Sequence, residues 1–81
     1  MGYHNREIKK GVIGDFSKIV EEYEELSDAI EQKNPVLELV EITDLLGAIE
    51  SFTVKNYNIS LEELIKMTRR TQSSFLEGRR K

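Results

Sequence analysis

The chain has no cysteine, no tryptophan, one proline and one histidine. Without cysteine there are neither disulfides nor thiolate metal ligands, so a domain this small must find its stability in packing or in a second chain. No apolar run approaches the ~20 residues that span a bilayer, and the N-terminal MGYHNREIKK carries no apolar segment of the signal-peptide kind. The expectation is a soluble, cytoplasmic chain with no membrane partner. It should form a single domain over residues 1–81, with residues 1–12 as a mobile arm or a short extra turn.

Cations are also scarce where acids gather. From Glu21 to Glu50 ten acids face one base, Lys33, whereas from Lys66 to Lys81 six bases face one acid, Glu77. An acidic centre and a basic tail could attract a metal and a phosphate respectively, or could dock on each other.

What is present reads as all-α. Phe16, Ile19, Val20, Tyr23, Leu26 and Ile30 follow the i, i+3, i+4, i+7 spacing of one helical face. Asp15 suits the N-cap of this first helix, expected over 15–33, and Pro35 ends it by disfavouring the α conformation at Asn34. Pro35 also suits the first position of a second helix, 35–55, where its missing N–H costs nothing. Apolar residues from Val36 to Phe52 surround that helix, so it should be packed on several sides. Three helices in one chain cannot surround it, which implies a partner chain, and Gly47 would permit a close helix contact there. KNYNI, Lys55 to Ile59, reads as a loop. Ser60 and Glu63 then form a capping box opening a third helix, 61–77, which should stop near Gly78.

The carboxylates carry the chemistry. Glu22 and Glu25 are spaced i, i+3 on the first helix, and Glu41 and Asp44 on the second, so each pair lies on one face. No Lys or Arg occurs between Asn34 and Val54 to pair with the second set. A buried unpaired carboxylate must be protonated, find a partner or bind a cation. Four that converge across a helical hairpin are best served by a hard divalent ion such as Mg²⁺, which takes oxygen ligands and keeps water and substrate phosphate in its shell. The hairpin geometry allows it, because Glu25 and Asp44 lie equally far from the Asn34–Pro35 turn. Glu21, Glu24, Asp28 and Glu31 read as ordinary solvated helix face, and Lys18 stands at i, i+4 from Glu22.

EExxE at Glu21, Glu22 and Glu25, followed by ExxD at Glu41 and Asp44, resembles the signature of the MazG-like all-α nucleoside triphosphate pyrophosphohydrolases. That superfamily includes dimeric dUTPases, dCTP pyrophosphatases and phosphoribosyl-ATP pyrophosphohydrolases. The resemblance is detailed from Gly11 to Asp44 and follows helix order to about Gly78. It implies Mg²⁺, with Mn²⁺ as a substitute, held by Glu22, Glu25, Glu41 and Asp44, and hydrolysis of a nucleoside triphosphate to monophosphate and pyrophosphate. Glu21 is then the candidate for orienting or deprotonating the attacking water, from a position nearer the outside of the helix. A homodimer or homotetramer, its four-helix core drawn from two chains, is implied as well. Where relatives often carry Asn and Lys in the last helix, this chain has KMTRRTQSSF, so Lys66, Arg69 and Arg70 are the candidates for phosphate, or else solvated charges. His4 lies in the expected arm and offers no support for a histidine-based mechanism. A non-catalytic helical interaction module is the alternative function. Nucleic acid is the weakest partner, given the acidic total and the shortage of stacking aromatics around Arg79, Arg80 and Lys81.

Overall fold

A computed structural model describes residues 4–76, with side chains through residue 72. Gly78 and the basic tail Arg79, Arg80 and Lys81, all singled out from the sequence, lie outside the described residues. Three helices follow in order, α1 (Phe16–Glu31), α2 (Pro35–Tyr57) and α3 (Leu61–Leu76), and no strand is found among the described residues.

Local chemistry sets the boundaries. The Asp15 side chain accepts the Ser17 N–H at 3.1 Å, and Asn34 accepts the Leu37 N–H at 3.1 Å directly before Pro35. Between α1 and α2 the chain turns through Lys33 at φ 57°, with Asn34 N–H donating to the Ala29 carbonyl and Lys33 N–H to that of Ile30. This is the left-handed helix stop that usually takes glycine. The capping box opens α3 in both directions: Ser60 N–H donates to Glu63 Oε1 at 3.0 Å, and Glu63 N–H to Ser60 Oγ at 3.2 Å.

The loop expected at KNYNI is shorter than the sequence suggests. Lys55, Asn56 and Tyr57 continue α2, because the Asn56 side chain donates to the Phe52 carbonyl rather than breaking the helix. Asn58 then ends it at φ 57°, a conformation that Asn tolerates better than most residues.

The two long helices run antiparallel, with Asn56 near the end of α2 reaching Gly14 before α1. α3 joins the far end of this hairpin, where the Leu61 N–H donates to Glu50 Oε2 at 2.8 Å. Packing between α1 and α2 inverts the usual distribution. Among the described residues the buried apolar side chains are Ala29, Leu37 and Ala48, whereas Glu21, Glu22, Asp28 and Glu41 are all buried. Phe16, Val20, Tyr23 and Ile30, most of the apolar stripe of α1, are exposed, as are Val36, Leu39, Val40 and Leu46 of α2. The acidic faces of the two helices look inward and the apolar faces outward.

From His4 to Val12 the chain forms no helix and lies along the hairpin as a strap. The stretch read from sequence as an arm or extra turn is thus bonded to α1 at several points. Arg6 meets Glu24 at 3.3 Å, Asp28 at 3.5 Å and Glu31 at 3.1 Å, and the Gly11 N–H donates to Glu21 Oε1 at 2.8 Å. Gly11 is needed for this approach, since a Cβ there would come within 2.3 Å of the Ser17 carbonyl oxygen.

Candidate metal centre

α1 contributes Glu22 and Glu25 one turn apart, and α2 contributes Glu41 and Asp44 with the same spacing. The hairpin brings one carboxylate oxygen from each of the four to within 4.8 Å of one another. Glu22 and Glu41 are buried, Glu25 is half-buried and Asp44 is exposed at the mouth. Oε1 of Glu22 and Oε1 of Glu41 are buried without any hydrogen-bond partner. Unsatisfied carboxylate oxygens inside a protein are costly, and two on residues of one cluster are what a cation would satisfy.

The electrostatics point the same way. Burial pushes the carboxyls of Glu22 and Glu25 above the usual glutamate range. For Glu22, Lys18 opposes the rise and Glu25 adds to it; for Glu25, the bond with Glu22 opposes it and Glu41 adds to it. A positive charge brought to these two carboxyls would favour their ionised forms.

Two side chains of the chain already place basic groups at the edges. Lys18 Nζ lies 3.1 Å from both Glu21 Oε1 and Glu22 Oε2. Desolvation works against its charge, but these bonds, first that with Glu22, raise its pKa. On the opposite side His4 places Nε2 at 2.9 Å from Glu41 Oε2 and 4.0 Å from Glu25 Oε1, with Nδ1 at 2.8 Å from Asp28 Oδ2. Burial disfavours the imidazolium, yet the hydrogen bonds to Asp28 and Glu41 outweigh it and raise the His4 pKa.

Glu21 departs from its expected position. It is 3% exposed, covered by the strap, and its Oε1 accepts from both the Gly11 N–H and Lys18. Burial opposes its ionised form, but these two donors hold its pKa below the usual range. Its oxygen is engaged in fastening the strap. Asp28 departs further: read as solvated surface, it is 2% exposed. Despite its burial, bonds from Gln32, the Asn5 N–H and His4 hold its pKa at about 2. The strap explains both departures, because it covers the face of α1 that a lone helix would leave in water.

The three basic candidates of α3 stand apart from the carboxylates within one chain. Lys66 and Arg70 line a shallow cleft with Ile59, Glu63 and Met67, and Arg69 lines the apolar groove between α2 and α3. Neither cleft includes a residue of the cluster. A cavity of about 580 Å³ does open onto it, bounded by His4, Glu25, Glu41 and Asp44 and walled by Val36 and Val40. Among the described residues no helix is long and apolar enough to cross a membrane. No protein-family profile, curated protein or solved structure matches the chain.

Proposed function

We propose that the protein is a Mg²⁺-dependent nucleotide pyrophosphohydrolase of the MazG-like kind, cleaving a nucleoside triphosphate to monophosphate and pyrophosphate. The observation that carries this reading is the pair of orphaned oxygens, Glu22 Oε1 and Glu41 Oε1, buried among four carboxylates on two facing helices. Glu22, Glu25, Glu41 and Asp44 would hold Mg²⁺, or Mn²⁺ in its place. Such an ion supplies neutralisation of the triphosphate and a lowered pKa for water. The chain's own part is to fix the carboxylates on two rigid helices and to hold the apolar wall of Val36 and Val40 beside them. Glu21, fastened to the strap, is a better candidate for holding Lys18 and Gly11 than for taking a proton from water. Phosphate contacts from Lys66, Arg69 or Arg70 would have to come from a neighbouring chain. The outward apolar faces of α1 and α2 support that assembly, a homodimer or homotetramer with a four-helix core.

A screen of standard and modified nucleoside triphosphates with Mg²⁺, with pyrophosphate as the readout, tests the reading beside Glu41→Gln. Turnover of at least one nucleotide is expected, with a loss of at least about 100-fold in the variant. A folded wild-type protein inert across the panel would end the enzyme reading. The second reading is a non-catalytic helical interaction module, favoured by the presence of Lys18 and His4 on the cluster, where they partly satisfy it without an ion.

A further inference from the structure

His4 is the residue of this region that neither the helices nor the four-carboxylate site accounts for. It arrives from the strap, 37 residues before Glu41, and its ring is largely buried, with 14% of the side chain exposed. Each ring nitrogen has a distinct task. Nδ1 faces Asp28, which is fixed on α1 by the Asn5 N–H and the Gln32 side chain in addition to His4. Nε2 faces Glu41 and Glu25.

A buried carboxylate holding one imidazole nitrogen while the other points at further ligands is the outer-shell arrangement that orients metal-binding histidines. The spacing suits it. Ligands at ~2.1 Å from an ion on adjacent corners of an octahedron lie about 3 Å apart, and those on opposite corners about 4.2 Å. His4 Nε2 stands 2.9 Å from Glu41 Oε2 and 4.0 Å from Glu25 Oε1, and these three groups present ligand atoms within 4.8 Å of one another. Glu41 is buried with its second oxygen unpartnered, an observation separate from the spacing of the three groups and one that suits a cation beside it. The cavity bounded by His4, Glu25 and Glu41 gives an ion a way in.

We propose that His4, Glu25 and Glu41 form a mixed nitrogen and oxygen site for a later first-row transition cation of the Co²⁺, Ni²⁺ or Zn²⁺ class, with Asp28 positioning the imidazole. The site rests on the same reading of Glu25 and Glu41 as metal ligands, and differs from the four-carboxylate cage in its nitrogen ligand. Imidazole favours the later first-row ions, which Mg²⁺ chemistry does not reach. Binding releases the Nε2 proton to solvent and leaves Nδ1–H on Asp28. It also pins the N-terminal strap across the hairpin, so the metal-binding and strap-holding functions of His4 coincide.

Co²⁺ is the probe. The full chain is titrated with Co²⁺ and separately with Mg²⁺ by calorimetry, and the Co²⁺ form is studied by proton NMR. The expected spectrum has a hyperfine-shifted, solvent-exchangeable imidazole N–H signal that His4→Ala removes. That variant should lower Co²⁺ affinity by about 10-fold or more without lowering Mg²⁺ affinity, because it takes no ligand from the four-carboxylate set and removes a basic group from beside Glu41. Asp28→Asn, which keeps the size of the side chain, should weaken Co²⁺ by about 10- to 100-fold. Circular dichroism checks that both variants stay helical, and His4→Gln replaces His4→Ala if the latter unfolds. A Co²⁺ form lacking the exchangeable signal, or unchanged Co²⁺ affinity in the His4 variant, overturns the proposal. Asp44→Asn, which removes a ligand from the four-carboxylate set and none from the His4 set, tests the other reading: Mg²⁺ binding indifferent to it overturns that cage and leaves the His4 site standing.

Discussion

Lys18 Nζ sits 3.1 Å from Glu21 and 3.1 Å from Glu22, so one ammonium serves two adjacent buried carboxylates. It links the strap, through Glu21 and Gly11, to the carboxylate cluster, through Glu22. A cation tethered to one edge of a candidate metal centre would stabilise the carboxylates when no ion is bound and repel an incoming one.

Lys18→Gln should separate these effects. Without divalent ions the variant leaves Glu21 and Glu22 short of a donor, at a cost of about 1–3 kcal/mol. With the repulsion gone, millimolar Mg²⁺ should raise Tm by more in the variant than in wild type. Thermal unfolding with and without Mg²⁺ checks both, and an equal rise in the two proteins would mean that Lys18 and the ion do not share Glu22.

Glu25→Gln should move in the opposite direction. Burial, reinforced by Glu41, raises the Glu25 carboxyl, so in the metal-free fold its ionised form is a burden that grows as pH rises through that raised value. The amide removes the burden and a ligand together. Tm without metal should rise by a few degrees, roughly the effect of 1 kcal/mol or less in a domain of this size, while the Mg²⁺-induced rise disappears. The same raised carboxyls predict proton release on Mg²⁺ binding, visible as a calorimetric enthalpy that changes with the ionisation enthalpy of the buffer.

Helix placement was legible because its signals are local. Asp15, Pro35 and the Ser60–Glu63 box act within three residues of themselves, and all three perform the capping expected of them. The four carboxylates were legible for a related reason: i, i+3 spacing and one tight turn suffice to bring them together. The strap was not, since it has no periodicity and the partners of His4, Asn5, Arg6 and Gly11 lie 10 to 37 residues away in sequence. With it went Asp28, whose burial depends on His4, Asn5 and Arg6, and Glu21, whose oxygen is capped by Gly11. The one available signal was the coincidence of a single histidine and Arg6 before an over-acidic helix. KNYNI misled for another reason: an Asn side chain that bonds back to Phe52 is compatible with a helix end, and propensity alone placed that end too early.

The strap has a defined pH window in metal-free protein. The Asp28 pKa falls from 3.8 to about 2, so its contribution is complete above the unfolded value and is lost as pH drops through about 2. His4 behaves inversely: its pKa is raised above 6.5, so the imidazolium's contribution is complete below 6.5 and is lost as pH rises through the raised value. Protection at the Asn5 and Gly11 amides, after dividing out the base-catalysed rise of intrinsic exchange with pH, should therefore be greatest on the acidic side of neutrality and fall at alkaline pH. His4→Ala should flatten that fall in protection at Asn5, and a fall that persists in the variant would assign it to another group.

The outward apolar faces make the strongest demand on a second copy. A compact chain of this mass would expose about 5,000 Å², and this one exposes 6325 Å². Val36 is 73% exposed and Leu39 65%, on a helix whose buried side chains include only two apolar residues, Leu37 and Ala48. Gly47 is exposed too, and a Cβ there would meet nothing within its own chain. Taken alone, Gly47→Ala should therefore stabilise α2 by about 1 kcal/mol through helix propensity. If a neighbouring helix crosses at Gly47, a larger side chain must do the reverse. Sedimentation should give wild type a mass of two or four chains, and Gly47→Leu or Leu39→Glu should shift it toward one chain with a lower Tm. A monomeric wild type with that much apolar surface in water would leave the four-helix core without support, and Gly47→Leu would then raise Tm instead of lowering it.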